Sequence, residues 1–215
     1  MSTPDFHGHG VAFDLDGCLV ESRGAILPSI RVALTQHGLP ALPDDEIAFL
    51  IGPPLETGFE ELLVRLGEDT ALARPLVLAY RADYREHMLE RTTVMTGMDD
   101  AVRAVAARRV MCVVTSKPKE MASPILEHLG LLDAFAFVEG PSLGLEAETK
   151  VETLGRALER MEIGVMVGDR HHDVDAGRAH GLTTVGVLWG MGDALELDDA
   201  DHLVATPADL TELLT

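Results

Sequence analysis

Residues 11–19 read VAFDLDGCL, in which an apolar run leads directly into Asp14, Asp16 and Gly17. The apolar run predicts a buried β-strand, and the aspartates with the glycine predict a tight turn at its carboxyl end. Ligands of open α/β sheets bind in the crevice beyond the carboxyl ends of the strands. Paired carboxylates at that position suit a hard cation with oxygen ligands. On this segment alone, a helix-capping aspartate beside a turn aspartate is the alternative interpretation.

The composition is that of a globular protein with a strong excess of acids. The 215 residues fit one large or two small domains, and 47% of them are hydrophobic but only 4% aromatic, so the core is built mainly from aliphatic side chains. The net charge of −19 argues against nucleic acid polymers and anionic membranes as partners. Cys18 and Cys112 have no metal-binding spacing. With no recognisable signal sequence or membrane-spanning run, we expect a cytoplasmic protein.

The chain changes character twice. Residues 24–91 follow helical periodicity, whereas the residues after Gly97 alternate between short apolar strands and helices of about 10 to 15 residues. Further strands are predicted at residues 110–115, 135–138, 163–167 and 184–188, and the intervening helices end near residues 109, 130, 161 and 180. This alternation predicts an α/β fold with a doubly wound parallel sheet. An all-helical module is inserted directly after the first strand.

Polar residues follow two more of the predicted strands. Residues 115–117 read TSK after one strand, and Asp169 follows another, with Asp173 four residues beyond it. Lys150 begins a predicted helix, where its charge opposes the helix dipole. Turn and capping roles are the alternatives for these residues taken singly. A second carboxylate pair at a second strand end is nevertheless hard to explain without a metal ion.

Together these motifs resemble those of the haloacid dehalogenase-like hydrolases, within them the phosphoglycolate phosphatase and 5′-nucleotidase-like group. The resemblance rests on FDLDGCL at residues 13–19, VVTSKP at 113–118, Lys150, and VGDRHHD at 167–173. It implies a Rossmann-like core of residues 1–20 and 92–215 with a helical cap domain of residues 21–91. It also implies a Mg²⁺-dependent phosphatase that acts through an aspartyl-phosphate on a small phosphomonoester, either phosphoglycolate-like or a nucleoside 5′-monophosphate.

The resemblance further assigns roles to individual residues. Asp14 would be the nucleophile and Asp16 the general acid and base, while Thr115 and Lys150 would stabilise the transferring phosphoryl group. Ser116 and Lys117 lie beside Thr115 in the second motif and are expected to contact the substrate. The four aspartates leave the site short of positive charge for a phosphate, so Lys117 and Arg170, which follow strand ends, are expected to help bind it; a solvated surface position is the alternative for both cations. The Mg²⁺ ligands are expected to be Asp14, Asp16 through its backbone carbonyl, Asp169 and the supporting Asp173.

Some positions depart from the family pattern, and some questions stay open. Cys18 replaces a threonine that is usual in the first motif, and we expect it to be a small buried residue. We expect His171 and His172 to be exposed or to lie behind the metal ligands, because the family uses oxygen ligands. A phosphomutase of the same family and a non-enzymatic receiver-type domain are the alternative functions. A monomer or a homodimer is expected, and the particular substrate stays open.

Overall fold

The computed structural model describes residues 9–143 and 148–215. The strands in these residues are β1 (Gly10–Phe13), β2 (Val20–Glu21), β3 (Thr93–Val94), β4 (Met111–Val114), β5 (Val138–Glu139), β6 (Ile163–Gly168), β7 (Thr183–Val187) and β8 (His202–Val204). Six of them form a parallel sheet in the order β5-β4-β1-β6-β7-β8. The predicted doubly wound α/β fold is therefore confirmed, with β1 in the middle of the sheet.

The helices alternate with these strands after residue 97. In the described residues the α-helices are α1 (Arg23–Gln36), α2 (Asp44–Ile47), α3 (Leu55–Leu66), α4 (Ala73–Arg91), α5 (Met98–Ala106), α6 (Lys119–His128), α7 (Lys150–Leu158), α8 (His171–Ala179) and α9 (Pro207–Leu214). Short 3₁₀ turns lie at Ala48–Leu50, Thr70–Leu72 and Leu132–Ala134. None of the helices in the described part of the chain has the length and apolar character to cross a membrane.

The central strand is buried on both faces, as expected for a parallel strand covered by helices. Val11 and Phe13 belong to the larger apolar cluster, which continues into residues 23–91. Ala12 points to the opposite face and packs with Cys112 and Met166 in a second, smaller cluster. The alternation of side chains along β1 thus serves two layers of core, one on each side of the sheet.

Residues 23–91 form a helical segment that leaves and rejoins the sheet domain at a single place. The segment follows β2 and precedes β3, and these two short strands pair antiparallel, with Val20 opposite Val94. Within the segment, the long helices α1 and α4 pack against each other and bury Ile30, Leu34 and Leu76. Both chain connections to the helical segment therefore run side by side, next to the end of β1.

The structure corrects several predicted boundaries. The strand predicted at residues 135–138 is Val138–Glu139, because a 3₁₀ turn occupies Leu132–Ala134 just before it. The helices predicted to reach residues 109 and 161 end at Ala106 and Leu158. The strand β8 was not predicted, since three residues of strand carry too little periodicity to be recognised. The helix α9 was missed although its sequence carries a start signal, a capping box of Thr206 and Asp209 around Pro207.

Candidate active site

Neighbouring strands bring the predicted acids to one edge of the sheet. Asp14 directly follows β1, Asp169 directly follows β6, and β1 and β6 are paired in parallel. The backbone N–H of Asp14 donates to the carbonyl of Val167 at 2.8 Å, which fixes the turn after β1 against the end of β6. Thr115 follows β4 on the other side of β1. The order of the strands therefore places these side chains at a common edge.

Three of the predicted metal ligands form a buried acid cluster: Asp14, Asp169 and Asp173. One carboxylate oxygen from each lies within 4.8 Å of the others, and the residues are only 5%, 0% and 2% exposed. Asp169 accepts a hydrogen bond from the backbone N–H of Met191 at 2.8 Å on Oδ2, whereas its Oδ1 is buried without a partner. A buried carboxylate oxygen without a donor is costly. The acid cluster therefore fits a hard divalent cation, which prefers carboxylate oxygens.

Lys150 supplies the compensating positive charge. It lies at the start of α7, where Thr149 and Glu152 form a capping box, and its buried ammonium pairs with Asp14 and, at 2.9 Å, with Asp173 Oδ1. Burial alone would lower the pKa of Lys150, but the two carboxylates outweigh burial and raise it above its ordinary value. The position that opposes the helix dipole is thus explained by two ion pairs.

Two acids of the cluster, Asp14 and Asp169, hold protons more tightly than free aspartates do. Burial, followed by the negative charge of Asp173, raises the pKa of Asp14 to about 7, although Lys150 acts in the opposite direction. Burial and the charges of Asp14 and Asp173 raise the pKa of Asp169 well above its usual range. Three carboxylates beside one lysine leave an excess of negative charge, which a cation would balance.

Asp16 lies beside the acid cluster but has a different partner. Its Oδ1 accepts a hydrogen bond from Lys117 Nζ at 2.5 Å, and the same ammonium donates to the hydroxyl of Tyr84 at 2.7 Å. Tyr84 belongs to α4 in the helical segment, so this contact connects the two parts of the chain. Thr115 is buried beside them and accepts the backbone N–H of Lys117 on Oγ1 at 3.1 Å. The predicted acid/base residue is thus held by the predicted substrate lysine.

Two glycines let the backbone approach Asp169. Gly17 has a φ of +88°, and a Cβ there would lie 2.2 Å from Asp169 Oδ2. A Cβ at Gly190 would lie 2.3 Å from Asp169 Cβ. Gly17 was expected as the turn glycine of the first motif, whereas residues 190 and 191 were not recognised as part of the site. Their only signal in the sequence is a short Gly-rich stretch after β7.

Arg170 contacts the helical segment. Its Nε donates to Glu196 Oε1 at 2.7 Å, and its Nη1 donates to the carbonyl of Ile51 at 2.6 Å. His171 shares Glu196 Oε1 through its backbone N–H and its Nδ1. Partial burial acts to raise the pKa of Glu196, but the hydrogen bonds from Arg170 and His171 outweigh it and lower the pKa to about 2. Glu196 was not foreseen as a partner of the fourth motif.

A cleft opens between the sheet edge and the helical segment. Its empty volume, counted with its opening to solvent, is about 950 Å³. The sheet side contributes Asp14, Asp16 and the residues of the second motif, Thr115, Ser116, Lys117 and Pro118. The helical segment contributes mostly apolar side chains, together with Glu56 and Arg81. Arg170 is not among the described residues that line this cleft.

The remaining predicted positions lie near the site without lining the cleft. Cys18 is fully buried, as expected, and burial followed by the charge of Asp14 raises the pKa of its thiol well above the ordinary value. The indole N–H of Trp189 donates to the carbonyl of Cys18 at 3.0 Å. His172 is half-buried, and burial lowers its pKa. The thiol of Cys18 is therefore held in its neutral form beside the acids.

Comparison with known proteins establishes the family. The sequence profile described as haloacid dehalogenase-like hydrolase matches residues 11–187, a span that contains all four motifs. The chain therefore belongs to the haloacid dehalogenase-like hydrolases, and the predicted family is confirmed. Membership in an enzyme family leaves the receiver-type alternative without support.

Relatives with different names align along nearly the whole chain. The tyrosine-protein kinase PtkA of Mycobacterium tuberculosis is 35% identical, covering 96% of this chain and 71% of the relative. A phosphoglycolate phosphatase of Chromobacterium violaceum is 32% identical, covering 97% of each chain. A 5′-nucleotidase of Pseudomonas aeruginosa is 30% identical, covering 95% and 94%. Among solved structures, a predicted phosphatase from Clostridium acetobutylicum has a TM-score of 0.87 at 27% identity, covering 95% and 97%.

Proposed function

We propose that the protein is a Mg²⁺-dependent phosphatase that hydrolyses a small phosphomonoester. The observation that carries the proposal is the buried acid cluster, in which Asp169 Oδ1 has no partner. It lies at the sheet edge beside Asp16 and Thr115, which line the cleft. Phosphatases among the relatives support the same reaction class.

The chain has residues suited to hold the cation. Asp14, Asp169, Asp173 and the backbone carbonyl of Asp16 would hold Mg²⁺, whose charge would offset the repulsion between the nucleophile and an anionic phosphate. An oxygen-only set of donors is what this ion prefers. The pKa of Asp14 is raised to about 7, so the carboxyl group holds its proton more tightly than a free aspartate. A nearby positive charge favours the ionised carboxylate, which is the form that acts as the nucleophile.

The reaction divides into two displacements at phosphorus. In the first, a carboxylate oxygen of Asp14 forms a bond to phosphorus, the bond to the leaving oxygen breaks, and Asp16 gives that oxygen a proton. In the second, Asp16 takes a proton from water as the water oxygen attacks phosphorus, which releases inorganic phosphate and restores Asp14. Phosphate-monoester hydrolysis is so slow without a catalyst that the site has to lower the barrier by on the order of 20 kcal/mol.

Three polar residues would bind the phosphoryl group during both steps. Thr115 and Lys150 lie beside Asp14 and would stabilise the charge on the equatorial oxygens. Lys117 is paired with Asp16 in the structure, an arrangement that suits the base role. In the acid role Asp16 has to carry a proton, so we infer that the Lys117 ammonium then turns toward the phosphate. Ser116 lines the same cleft and is a further hydrogen-bonding candidate.

We also infer that residues 21–91 act as a cap domain over the sheet. The two connections to this segment run side by side at β2 and β3, which makes them a natural hinge. Hydrogen bonds from Lys117 to the Tyr84 hydroxyl and from Arg170 to the Ile51 carbonyl reach from the sheet domain to the helical segment. Closing such a cap excludes water other than the attacking molecule. The family resemblance and the acidic charge further support a cytoplasmic enzyme that acts on small molecules, as a monomer or a homodimer.

Phosphoryl transfer to tyrosine is a second candidate. It is favoured by one observation, the 35% identity to a protein named as a tyrosine-protein kinase. A phosphoryl group on Asp14 has two possible acceptors, water or a hydroxyl, and the cleft wall decides which one reaches it. Incubation with γ-labelled ATP and a tyrosine-containing peptide separates the two activities. Label on the peptide supports transfer, whereas label released only as inorganic phosphate supports hydrolysis.

The test of the main proposal is release of phosphate from p-nitrophenyl phosphate. Turnover should stop in excess chelator and return when Mg²⁺ is added. Asp14→Asn should lower kcat by at least about 10³-fold with an intact fold, whereas Asp175→Asn, at an exposed acid on α8, serves as the matched control. Full turnover in excess chelator contradicts the metal assignment. Substantial turnover by Asp14→Asn contradicts the covalent mechanism.

A further inference from the structure

Two cations line the cleft within the described residues, and they differ in their partners. Lys117 comes from the sheet domain and is bound to Asp16 and Tyr84. Arg81 comes from α4 in the helical segment and lies next to Tyr80, which also lines the cleft. Arg81 has no ion pair or hydrogen bond to any residue that the structure describes. Its guanidinium is thus available to a molecule bound in the cleft.

The absence of a partner for Arg81 in the described residues is notable in a chain with a net charge of −19. Glu56 lines the same cleft, but it pairs at 3.4 Å with Arg74, two turns before Arg81 on α4. Glu56, the carboxylate on the helical side of the cleft, is therefore already paired with Arg74. Burial, followed by the positive charge of Arg74, lowers the pKa of Arg81, and the nearby acids do not compensate. A half-buried charge without a counterion is costly, and an anionic ligand would remove that cost.

The two sides of the cleft have different chemistry. The sheet side carries Asp14, Asp16 and Thr115, which we assign to the phosphoryl group. The opposite wall is largely apolar, with Ile26 and Leu50 among its residues, and it carries Arg81, a cation that pairs with no residue in the described part of the chain. The organic part of a substrate would therefore contact apolar side chains, and a charged group at its far end would find Arg81. A guanidinium binds carboxylates and phosphates with two parallel hydrogen bonds.

We propose that Arg81 is a specificity-determining residue that binds a second anionic group on the substrate, a carboxylate or a second phosphate. This inference rests on the proposed phosphatase function and narrows its substrate class. A phosphomonoester whose organic part is neutral has no second anionic group to pair with Arg81. Small phosphorylated acids or bisphosphates are then preferred over esters of neutral alcohols and over nucleoside 5′-monophosphates, whose only anionic group is the reacting phosphate.

The experiment uses substrates that differ in one group. 2-Phosphoglycolate and ethyl phosphate share the phosphoryl group and the two-carbon chain, but only the first has a carboxylate. In the Arg81→Gln variant, the ratio of kcat/KM for phosphoglycolate to that for ethyl phosphate should fall by about 10- to 100-fold, as expected for a charged hydrogen bond. The fall should arise mainly from KM. Ethanediol bisphosphate, measured in parallel, separates a carboxylate site from a phosphate site.

Two control variants separate the proposed role from a structural one. Arg81→Lys should retain part of the ratio, because it keeps the charge and loses the paired donors. Arg85→Gln, at an exposed arginine one turn further along α4 that does not line the cleft, should leave the ratio at the wild-type value. An Arg81→Gln ratio equal to that of the wild type, for both phosphoglycolate and ethanediol bisphosphate, overturns the proposal. An equal loss for all three esters also overturns it, because it indicates a general effect on the fold.

Binding measurements keep this inference distinct from the proposed function. In an Asp14→Asn background with Mg²⁺, calorimetry compares the affinity for phosphoglycolate with that for ethyl phosphate, with Arg81 intact or replaced by glutamine. A preference for phosphoglycolate that disappears with Arg81 supports the role of Arg81 even if no ester is hydrolysed. A complete lack of turnover by the wild-type protein, by contrast, contradicts the phosphatase function alone.

Discussion

Replacing Lys150 with methionine tests the electrostatics of the site without touching an acid. Among the described residues, Lys150 is the cation that pairs with both Asp14 and Asp173, and methionine keeps much of its length and apolar stem. Breaking a buried ion pair by removing one partner typically costs about 3–5 kcal/mol, because a buried charge is left uncompensated. Asp14 already has a raised pKa of about 7 and can take up a proton, so we expect the lower end of that range.

The size of the effect depends on pH in a definite direction. A carboxyl group with a raised pKa contributes most stability below its unfolded pKa, near 3.9, and loses it as pH rises through the folded pKa of about 7. Without Lys150 the pKa of Asp14 rises further, so the loss relative to wild type grows with pH. At about pH 8 without metal we expect a loss of about 3 kcal/mol, or a fall in Tm of about 6–12 °C. At about pH 5.5 the loss should be clearly smaller.

Thermal and urea unfolding in chelator at the two pH values measure this difference. Lys119→Met, at an exposed lysine on α6, is the matched control and should stay within about 0.5 kcal/mol of wild type. A free energy of unfolding for Lys150→Met within about 1 kcal/mol of wild type at pH 8 contradicts a buried ion pair, since exposed ion pairs contribute no more than that. A loss of equal size at both pH values also refutes it, because the cause is then packing and not charge.

Three further outcomes follow from the same geometry. Mg²⁺ should raise the Tm of the wild type more at about pH 8 than at pH 5.5, because the cation competes with protons for the acid cluster; an equal rise at both pH values contradicts metal binding by Asp14. Asp16→Asn should lower kcat/KM, which reports the first displacement, far more for alkyl phosphates than for p-nitrophenyl phosphate, whose leaving group needs little protonation; equal losses in kcat/KM contradict the acid role. Glu196→Gln should lower the free energy of unfolding by up to about 1 kcal/mol at neutral pH, given the partial exposure of Glu196. This loss of stability should vanish as pH falls from about 4.3 toward 2, the folded pKa of Glu196. A loss that persists in acid contradicts the pairing with Arg170.

Sequence patterns predicted the sheet and the convergence of its polar residues for one physical reason. The carboxyl ends of neighbouring parallel strands lie at the same edge of the sheet. Acids that directly follow two such strands therefore lie close together, regardless of the conformation of the connecting loops. Asp14, Asp169 and Asp173 form the expected cluster on this basis. The position of Lys150 at the start of a helix was also informative, because a positive charge there is unfavourable with respect to the helix dipole. The structure explains this position by the two buried ion pairs of Lys150 with Asp14 and Asp173.

The features that were missed depend on contacts between segments far apart in the chain. Tyr84 appeared only as a member of an apolar helical stripe, and its hydroxyl gains a partner because α4 lies over Lys117. Arg170 was expected at the phosphate, but in the structure its guanidinium contacts Glu196 and the carbonyl of Ile51. The residues around Glu196 follow no helical or strand period, so nothing in the sequence indicated that this loop folds back on the fourth motif.

If the phosphoryl group is carried by Asp14 during turnover, it can be trapped there chemically. The protein is mixed with substrate and Mg²⁺, quenched within milliseconds, and reduced with borohydride, which converts an aspartyl-phosphate to homoserine. Mass spectrometry of the peptide that contains residues 11–19 then locates the change. We expect homoserine at position 14, dependent on both substrate and Mg²⁺, and none in the Asp14→Asn variant. Rapid turnover with no modification at position 14 under any quench time, or with the modification at another acid, would contradict it.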